Sequence, residues 1–248
     1  AHQAFVFAAK GKGEVRELSM VLDGECLCEI KNYAAAAKVY GEFLEAFKDS
    51  QHRPGIFYLY GWTLNELQRY EEAVEVFEDF IQAYPNHEFV SKAWLSGFDA
   101  LMALGQTDDA DRWLKPVVAD NPDGEEAMIR LIWSLFNRDD PEKAAAKSIE
   151  FVDKYPHSKQ YAAVLYNAAI ALYKLKKFDE AIGIFRRVQK DRPDCQEAQD
   201  LKFWLAMSLF ETKQFDEAKT LIDALLENDG LEDEKVSSLI YTMAEALV

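Results

Sequence analysis

The chain has 248 residues, 49% of them hydrophobic, with 28 Lys and Arg against 44 Asp and Glu, a net charge of −16. A nucleic-acid reader needs positive charge along its contact face, so this balance argues against nucleic acid and against anionic membrane surfaces. Its plain reading is solubility, with attraction for basic ligands as the alternative.

In chain order, Val6 and Phe7 stand 37 residues before Phe43 and Leu44, in the register of the second helix of an earlier, mostly missing copy. The first full copy, 17–53, carries Gly24 and the segment NYAAAAKVY centred on Ala36. The second, 54–90, has RYEEAVEVF around Ala73, preceded by Phe57, Tyr60, Gly61 and Leu64 and followed by Phe80 and Pro85. The third, 91–124, has QTDDADRWL around Ala110, with Trp94 and Gly97-Phe98 upstream and Pro122 downstream. Its Pro116 removes a backbone donor inside the second helix, which predicts a kink or a break near Lys115. The fourth, 125–161, has DPEKAAAKS around Ala144 and ends at Pro156; Ser148 stands where the other pattern has an aromatic. The fifth, 162–198, repeats the second with Leu165, Ala168, Ala169, Leu172, Phe178, Phe185, Val188 and Pro193 around Ala181. The sixth, 199–235, has QFDEAKTLI around Ala218. Residues 236–248 read as a first helix without a second, with Leu239, Met243 and Ala246 at the core offsets. The two ends are either caps or the cut edges of a longer array; the apolar last helix favours a segment of a longer protein.

The anchors Ala36, Ala73, Ala110, Ala144, Ala181 and Ala218 are therefore 37, 37, 34, 37 and 37 residues apart. A period in this range is the signature of a solenoid of helical pairs. Apolar residues three and four apart make each half an amphipathic helix. The small residues let the two antiparallel helices approach, the aromatics fill the space between pairs, and the recurring proline ends each second helix. Such a core is spread along the array, so 1–248 reads as a single domain.

The arrangement resembles the tetratricopeptide repeat family, whose pattern is tryptophan, leucine-glycine, tyrosine, then alanine, phenylalanine and proline. Phe57, Tyr60-Gly61, Leu64, Ala73, Phe77 and Pro85 carry the resemblance most fully, and Trp94 takes the tryptophan place in the third copy. Gly97-Phe98 and Ser148 depart from it. The resemblance implies an all-α, right-handed superhelical solenoid of about six helical pairs plus a terminal helix. The Tyr-Pro loops at 83–86 and 154–158 resemble, more weakly, tetratricopeptide proteins of the bacterial cell envelope, including outer-membrane assembly lipoproteins and the Tol-Pal-associated type. That implies a periplasmic or envelope location, with cytoplasm as the alternative. An odd number of cysteines leaves at least one free thiol in a monomer, which suits a reducing compartment slightly better.

No catalytic, cofactor or metal motif is present. His87 and His157 follow Tyr-Pro in equivalent loops and read as exposed loop histidines; Cys26, Cys28 and Cys195 make neither a zinc motif nor a disulfide framework. In the resembled family the first helices line a concave groove. Its positions here are Tyr58, Trp62, Asn65 and Glu66; Leu95, Asp99 and Met102; Ile129, Trp133 and Phe136; Tyr166 and Tyr173; Phe203 and Phe210. Lys92 and Lys174 are isolated among them, unlike the basic clamp that family members use on acidic chaperone tails. About half of these side chains are expected to pack as core, and the remainder to form an exposed apolar stripe that marks a binding surface.

The expected function is a non-enzymatic scaffold holding a peptide segment of a partner protein in this groove, without direct membrane insertion. Two other readings stay open: a glycan or cell-wall fragment stacked on Trp62, Tyr58 and Trp133, or the docking arm of a larger enzyme. A closed pocket with converging polar groups would favour the small ligand, and an open channel the peptide.

Overall fold

The structure is a computed structural model that describes residues 13–120, 124–138, 140–226, 237–239, 241 and 244, without the side chains of 119, 120 and 199. Val6, Phe7, His2, Pro122, Met243 and Ala246 lie outside the described residues. Twelve helices follow in order among them: α1 (Glu14–Glu29), α2 (Tyr33–Ala46), α3 (Arg53–Glu66), α4 (Tyr70–Ala83), α5 (Val90–Ala103), α6 (Thr107–Asp120), α7 (Gly124–Asn137), α8 (Pro141–Lys154), α9 (Tyr161–Lys174), α10 (Phe178–Asp191), α11 (Ala198–Glu211) and α12 (Phe215–Leu226). Odd-numbered helices are the first members of the repeat pairs and even-numbered helices the second. No strand occurs among the described residues, and no helix among them is long and apolar enough to cross a membrane.

The chain divides into two compact units, Ala1–Ala127 and Met128–Val248. In the first, each helix from α1 to α6 packs on the next, and the first helices α3 and α5 also touch. In the second, α8 to α12 pack in sequence order, and α9 touches α11.

What sets the pair is the smallness of its anchors. Ala36, Ala73, Ala110, Ala144 and Ala181 are fully buried, and Ala218 is buried as well. Opposite them the first helix offers a second small residue. A Cβ on Gly61 would stand 2.8 Å from the Phe77 ring, and one on Gly24 would collide with the Tyr40 ring. The third pair keeps this contact one residue out of register. Trp113 stands a position before the place of Phe77, and Gly97 a position before the place of Gly61; a Cβ on Gly97 would lie 2.5 Å from Trp113 Cζ2. The Trp113 indole donates to the Trp94 carbonyl at 2.7 Å, and the two rings meet edge to face at 5.0 Å. Gly97-Phe98 is thus a paired shift of the aromatic and its glycine. Ser148 is fully buried and donates to the Ala144 carbonyl at 2.7 Å, so its hydroxyl carries no unpaired proton into the core.

The turn inside each pair is equally regular. Five residues before the anchor the backbone is left-handed at Lys31, Gln68, Gly105, Lys176 and Lys213, with φ from 58° to 74°. The next amide donates back to a leucine carbonyl of the first helix: Asn32 to Leu27, Arg69 to Leu64, Gln106 to Leu101, Lys177 to Leu172 and Gln214 to Leu209, at 2.8–2.9 Å. This is the closure that satisfies a helix's last carbonyls. Acidic residues then open the second helix: Glu71 and Glu72, Asp108 and Asp109, Asp179 and Glu180, Asp216 and Glu217. There they face the positive end of the helix dipole, so part of the acid excess has a structural place.

The expected break near Lys115 does not occur: α6 runs uninterrupted through Pro116 to Asp120. Proline's φ is itself helical, and the bond it forfeits is to the carbonyl of Arg112. Both residues are exposed, so water can take that carbonyl. At the far end residues 237–239 are helical, and Leu239 is fully buried against Phe203, Ala206, Ile222 and Leu225.

Two tests follow from the packing. Ala73→Leu and Ala181→Leu are each expected to overpack the pair and lower stability by about 1–3 kcal/mol, read as a fall in the denaturant midpoint. Gly97→Ala is expected to destabilise for the same reason. Gly183→Ala, on the exposed side of α10 where a new Cβ meets nothing within 4 Å, is expected to stabilise by roughly 0.5–1 kcal/mol. Equal effects of the two glycine substitutions in a chemical melt would contradict the packing.

Candidate functional site

Each first helix is aimed by the loop before it. Fourteen residues after the anchor a side chain accepts the amide proton of the residue two further on. Ser50 Oγ accepts from His52 N at 2.9 Å, His87 Nδ1 from Phe89 N at 3.2 Å, and Ser158 Oγ from Gln160 N at 3.0 Å. Cys195 holds the equivalent place and takes a bond from the Glu197 backbone; burial pushes its thiol up, and that bond opposes the shift. His87 is therefore not a simple exposed loop histidine. It is partly buried, with its ring against Phe80 and Phe89 at 5.8 and 5.1 Å, because it serves as the cap of its turn. His157 is exposed.

In the first unit the first helices form one face. An open cleft of about 460 Å³ lies among Val21 and Glu25 of α1, Gly55 and Tyr58 of α3, and Lys92 of α5, walled by His52 and 87–89. Tyr58 is half-buried on Phe77, Phe80 and Phe89, at 5.1–6.3 Å between ring centres. Trp62 stands edge to face with Tyr33 at 5.6 Å. Asn65 Nδ2 donates to the Ser96 carbonyl at 2.9 Å and ties α3 to α5. Glu66 is exposed beside Tyr33; burial and then the Glu66 carboxylate push the Tyr33 hydroxyl up. Asp99 is exposed and Met102 half-buried on α5.

The second unit has its own face. Trp133 is exposed, with the Phe136 ring 5.6 Å away, and Ile129 is half-buried. Tyr166 packs on Phe185 at 6.5 Å. Tyr173 lies between Phe178 and Trp204 at 5.2 and 5.0 Å, and burial pushes its hydroxyl up. Phe210 is half-buried on Phe215 at 5.4 Å.

Two expected groove residues are core instead. Leu95 is 6% exposed and Phe203 5%. Phe203 is covered by Leu239 of the helix that follows, together with Ile222 and Leu225. Leu95 holds the position of Tyr58 but is too short to reach beyond the seam between helices. The remaining expected residues keep some exposure. Sequence reasoning passed over Val21 and Glu25, although the offsets applied to Ala36 give both. It also passed over the capping series Ser50, His87, Ser158 and Cys195, which the same register would have exposed.

Among the described residues no three His, Cys, Asp or Glu side chains converge as metal ligands. The three cysteines are unpaired with one another. Cys28 Sγ lies 3.6 Å from the Tyr40 hydroxyl, which burial raises far above its usual range. A larger crevice of about 660 Å³ opens between α4 and α6 over Trp94 and Trp113, and it too is open to solvent.

The tetratricopeptide repeat family model matches residues 30–88, 95–159 and 166–233. No curated protein matches the chain. Among solved structures, MamA of strain AMB-1 is 23% identical with a TM-score of 0.51, covering 75% of this chain and 97% of that one. The C-terminal part of a tetratricopeptide repeat protein from Cytophaga hutchinsonii is 20% identical with a TM-score of 0.58, covering 82% and 77%. YrrB, a tetratricopeptide protein with an unusual peptide-binding site, is 20% identical with a TM-score of 0.53, covering 82% and 99%. These likenesses are of fold.

The capping position yields a test. Cys195→Ser installs the residue found at Ser50 and Ser158 and is expected to leave the melting temperature nearly unchanged. Cys195→Ala is expected to cost about 1 kcal/mol. With its thiol pushed up, Cys195 should also carry less thiolate at a given pH and alkylate more slowly than an ordinary cysteine; pH-resolved labelling measures this.

Proposed function

The chain belongs to the tetratricopeptide repeat family, and on that premise we propose that it is a non-catalytic protein-interaction scaffold that holds a peptide segment of a partner against its first helices. The observation that carries this reading is the partly exposed aromatic side chains on the first helices of each unit: Tyr58 and Trp62 in the first, and Trp133, Phe136 and Tyr166 in the second. Rigid aromatics of this kind supply contact area at low entropic cost and dominate interface energies. The cleft beside Tyr58 is open rather than closed around converging polar groups, which favours an extended chain over a small glycan. YrrB, similar in fold, is a peptide binder.

The test begins with a pull-down to identify the partner, followed by calorimetry and thermal melts of three variants. Trp62→Ala, Trp133→Ala and Tyr166→Ala are each expected to weaken binding by about 2 kcal/mol or more while folding is largely retained. Leu95→Ala and Phe203→Ala are expected to do the reverse, lowering stability by about 2–5 kcal/mol. If the three aromatic variants lose stability and binding together, they are core and the proposal fails.

A further inference from the structure

We infer that the first-helix face of the first unit takes a cationic peptide segment with interspersed apolar residues, an inference that rests on the peptide reading above and narrows it. The same repeat positions carry different charges in the two units. Eleven and seven residues before the anchors, the first unit has Glu25, Trp62 and Asp99, then Glu29, Glu66 and Ala103. All four carboxylates are exposed, and no cation stands in either row. At these positions the second unit has Trp133, Ile170 and Met207, then Asn137, Lys174 and Glu211, one charge of each sign. The first unit is also the more acidic as a whole, with 23 Asp and Glu against 11 Lys and Arg over residues 1–127, so a control that removes equal charge elsewhere in the unit has to separate the row from that background.

The surroundings of the row strengthen the point. Glu25 and Glu29 are exposed, and Glu66 meets the Tyr33 hydroxyl, a neutral group. Some carboxylates elsewhere are paired with a nearby cation, as Glu72 with Arg69 and Glu150 with Lys147. Lys92, the lysine beside the cleft, lies with its ammonium 5.1 Å from the centre of the Phe89 ring. Glu25 shares the cleft with Val21 and Tyr58, so carboxylate and apolar wall face the same space. Trp62 stands between Glu25 and Asp99 in the row. A lysine or arginine there would meet a carboxylate and an indole face together, while alternate apolar side chains rest on Val21 and Tyr58. The two rows carry four carboxylates and no cation, and such a concentration of one charge favours oppositely charged ligands at encounter.

The experiment uses three short peptides with one shared leucine pattern, carrying lysine, glutamine or glutamate at the intervening positions. Binding to the full chain is read by fluorescence anisotropy at low and high salt. The lysine peptide is expected to bind at least about tenfold tighter than the glutamine peptide at low salt, with the advantage falling as salt rises. Glu25→Gln/Glu29→Gln/Glu66→Gln should abolish the advantage. Glu75→Gln/Glu78→Gln/Asp79→Asn removes the same charge from exposed positions of α4 and should preserve it; circular dichroism checks that both variants remain helical. If the α4 variant loses the advantage equally, the attraction is that of net charge and the inference is wrong. If lysine and glutamine peptides bind alike and Trp62→Ala weakens both, the groove reading stands and the charge inference falls. If none of the three binds, the groove reading falls with it.

Discussion

Everything in this molecule depends on how closely the two helices of a pair can approach. That distance is set by an alanine on the second helix and a small residue facing it on the first. With Ala73 fully buried and a Gly61 Cβ only 2.8 Å from the Phe77 ring, there is no space for another methyl group. Protein interiors are packed densely enough that one methylene is felt, so the close approach fixes each pair's geometry. Stacked pairs then inherit it, and each first helix places the same positions on the same face. The binding surface proposed for the chain is a by-product of this spacing: residues at the groove offsets are free to vary because the anchors hold the frame.

The register also shows how the frame absorbs change. Trp113 and Gly97 move together by one residue, which keeps an aromatic against a glycine while altering both identities. The turn residue with positive φ is glycine once and a polar long-chain residue elsewhere. A left-handed residue other than glycine is strained by about 1–2 kcal/mol, and here the leucine-directed amide bonds hold it in place. The cap before the first helix accepts Ser, His or Cys, because all three can receive one amide proton. In each case the requirement is geometric and the residue type is secondary. The acids at second-helix N-termini answer a dipole, whereas Glu29 and Glu66 close α1 and α3, at the end where the dipole disfavours a carboxylate. That contrast separates structural charge from charge available to a partner.

The fold was legible because its determinants are local and recur. Six alanines 34 or 37 residues apart, with aromatics and prolines at recurring offsets, leave little else that the chain could do. The site was legible in part. The offsets correctly picked out Trp62, Trp133 and Tyr58 as side chains with exposure on first helices. They could not distinguish Leu95 from Tyr58, because periodicity gives direction and not reach. They could not reveal that Leu239 would cover Phe203, since that depends on the next helix in the stack. Pro116 does not interrupt its helix, for a different reason: proline's φ is itself helical, and a single lost bond on the exposed side of α6 is not enough to end it. His87 was misread because loop position alone does not show whether a ring nitrogen is needed as an acceptor.

The central claim is that partners are held on the first-helix side. Site-specific photocrosslinking tests it most directly: a photoreactive phenylalanine derivative is placed at Tyr58 in one variant and at Glu75, on the exposed side of α4, in another, and each is irradiated with a bound peptide. The account predicts capture of the peptide from position 58 and none from position 75. Capture from 75 alone, or equally from both, would contradict it.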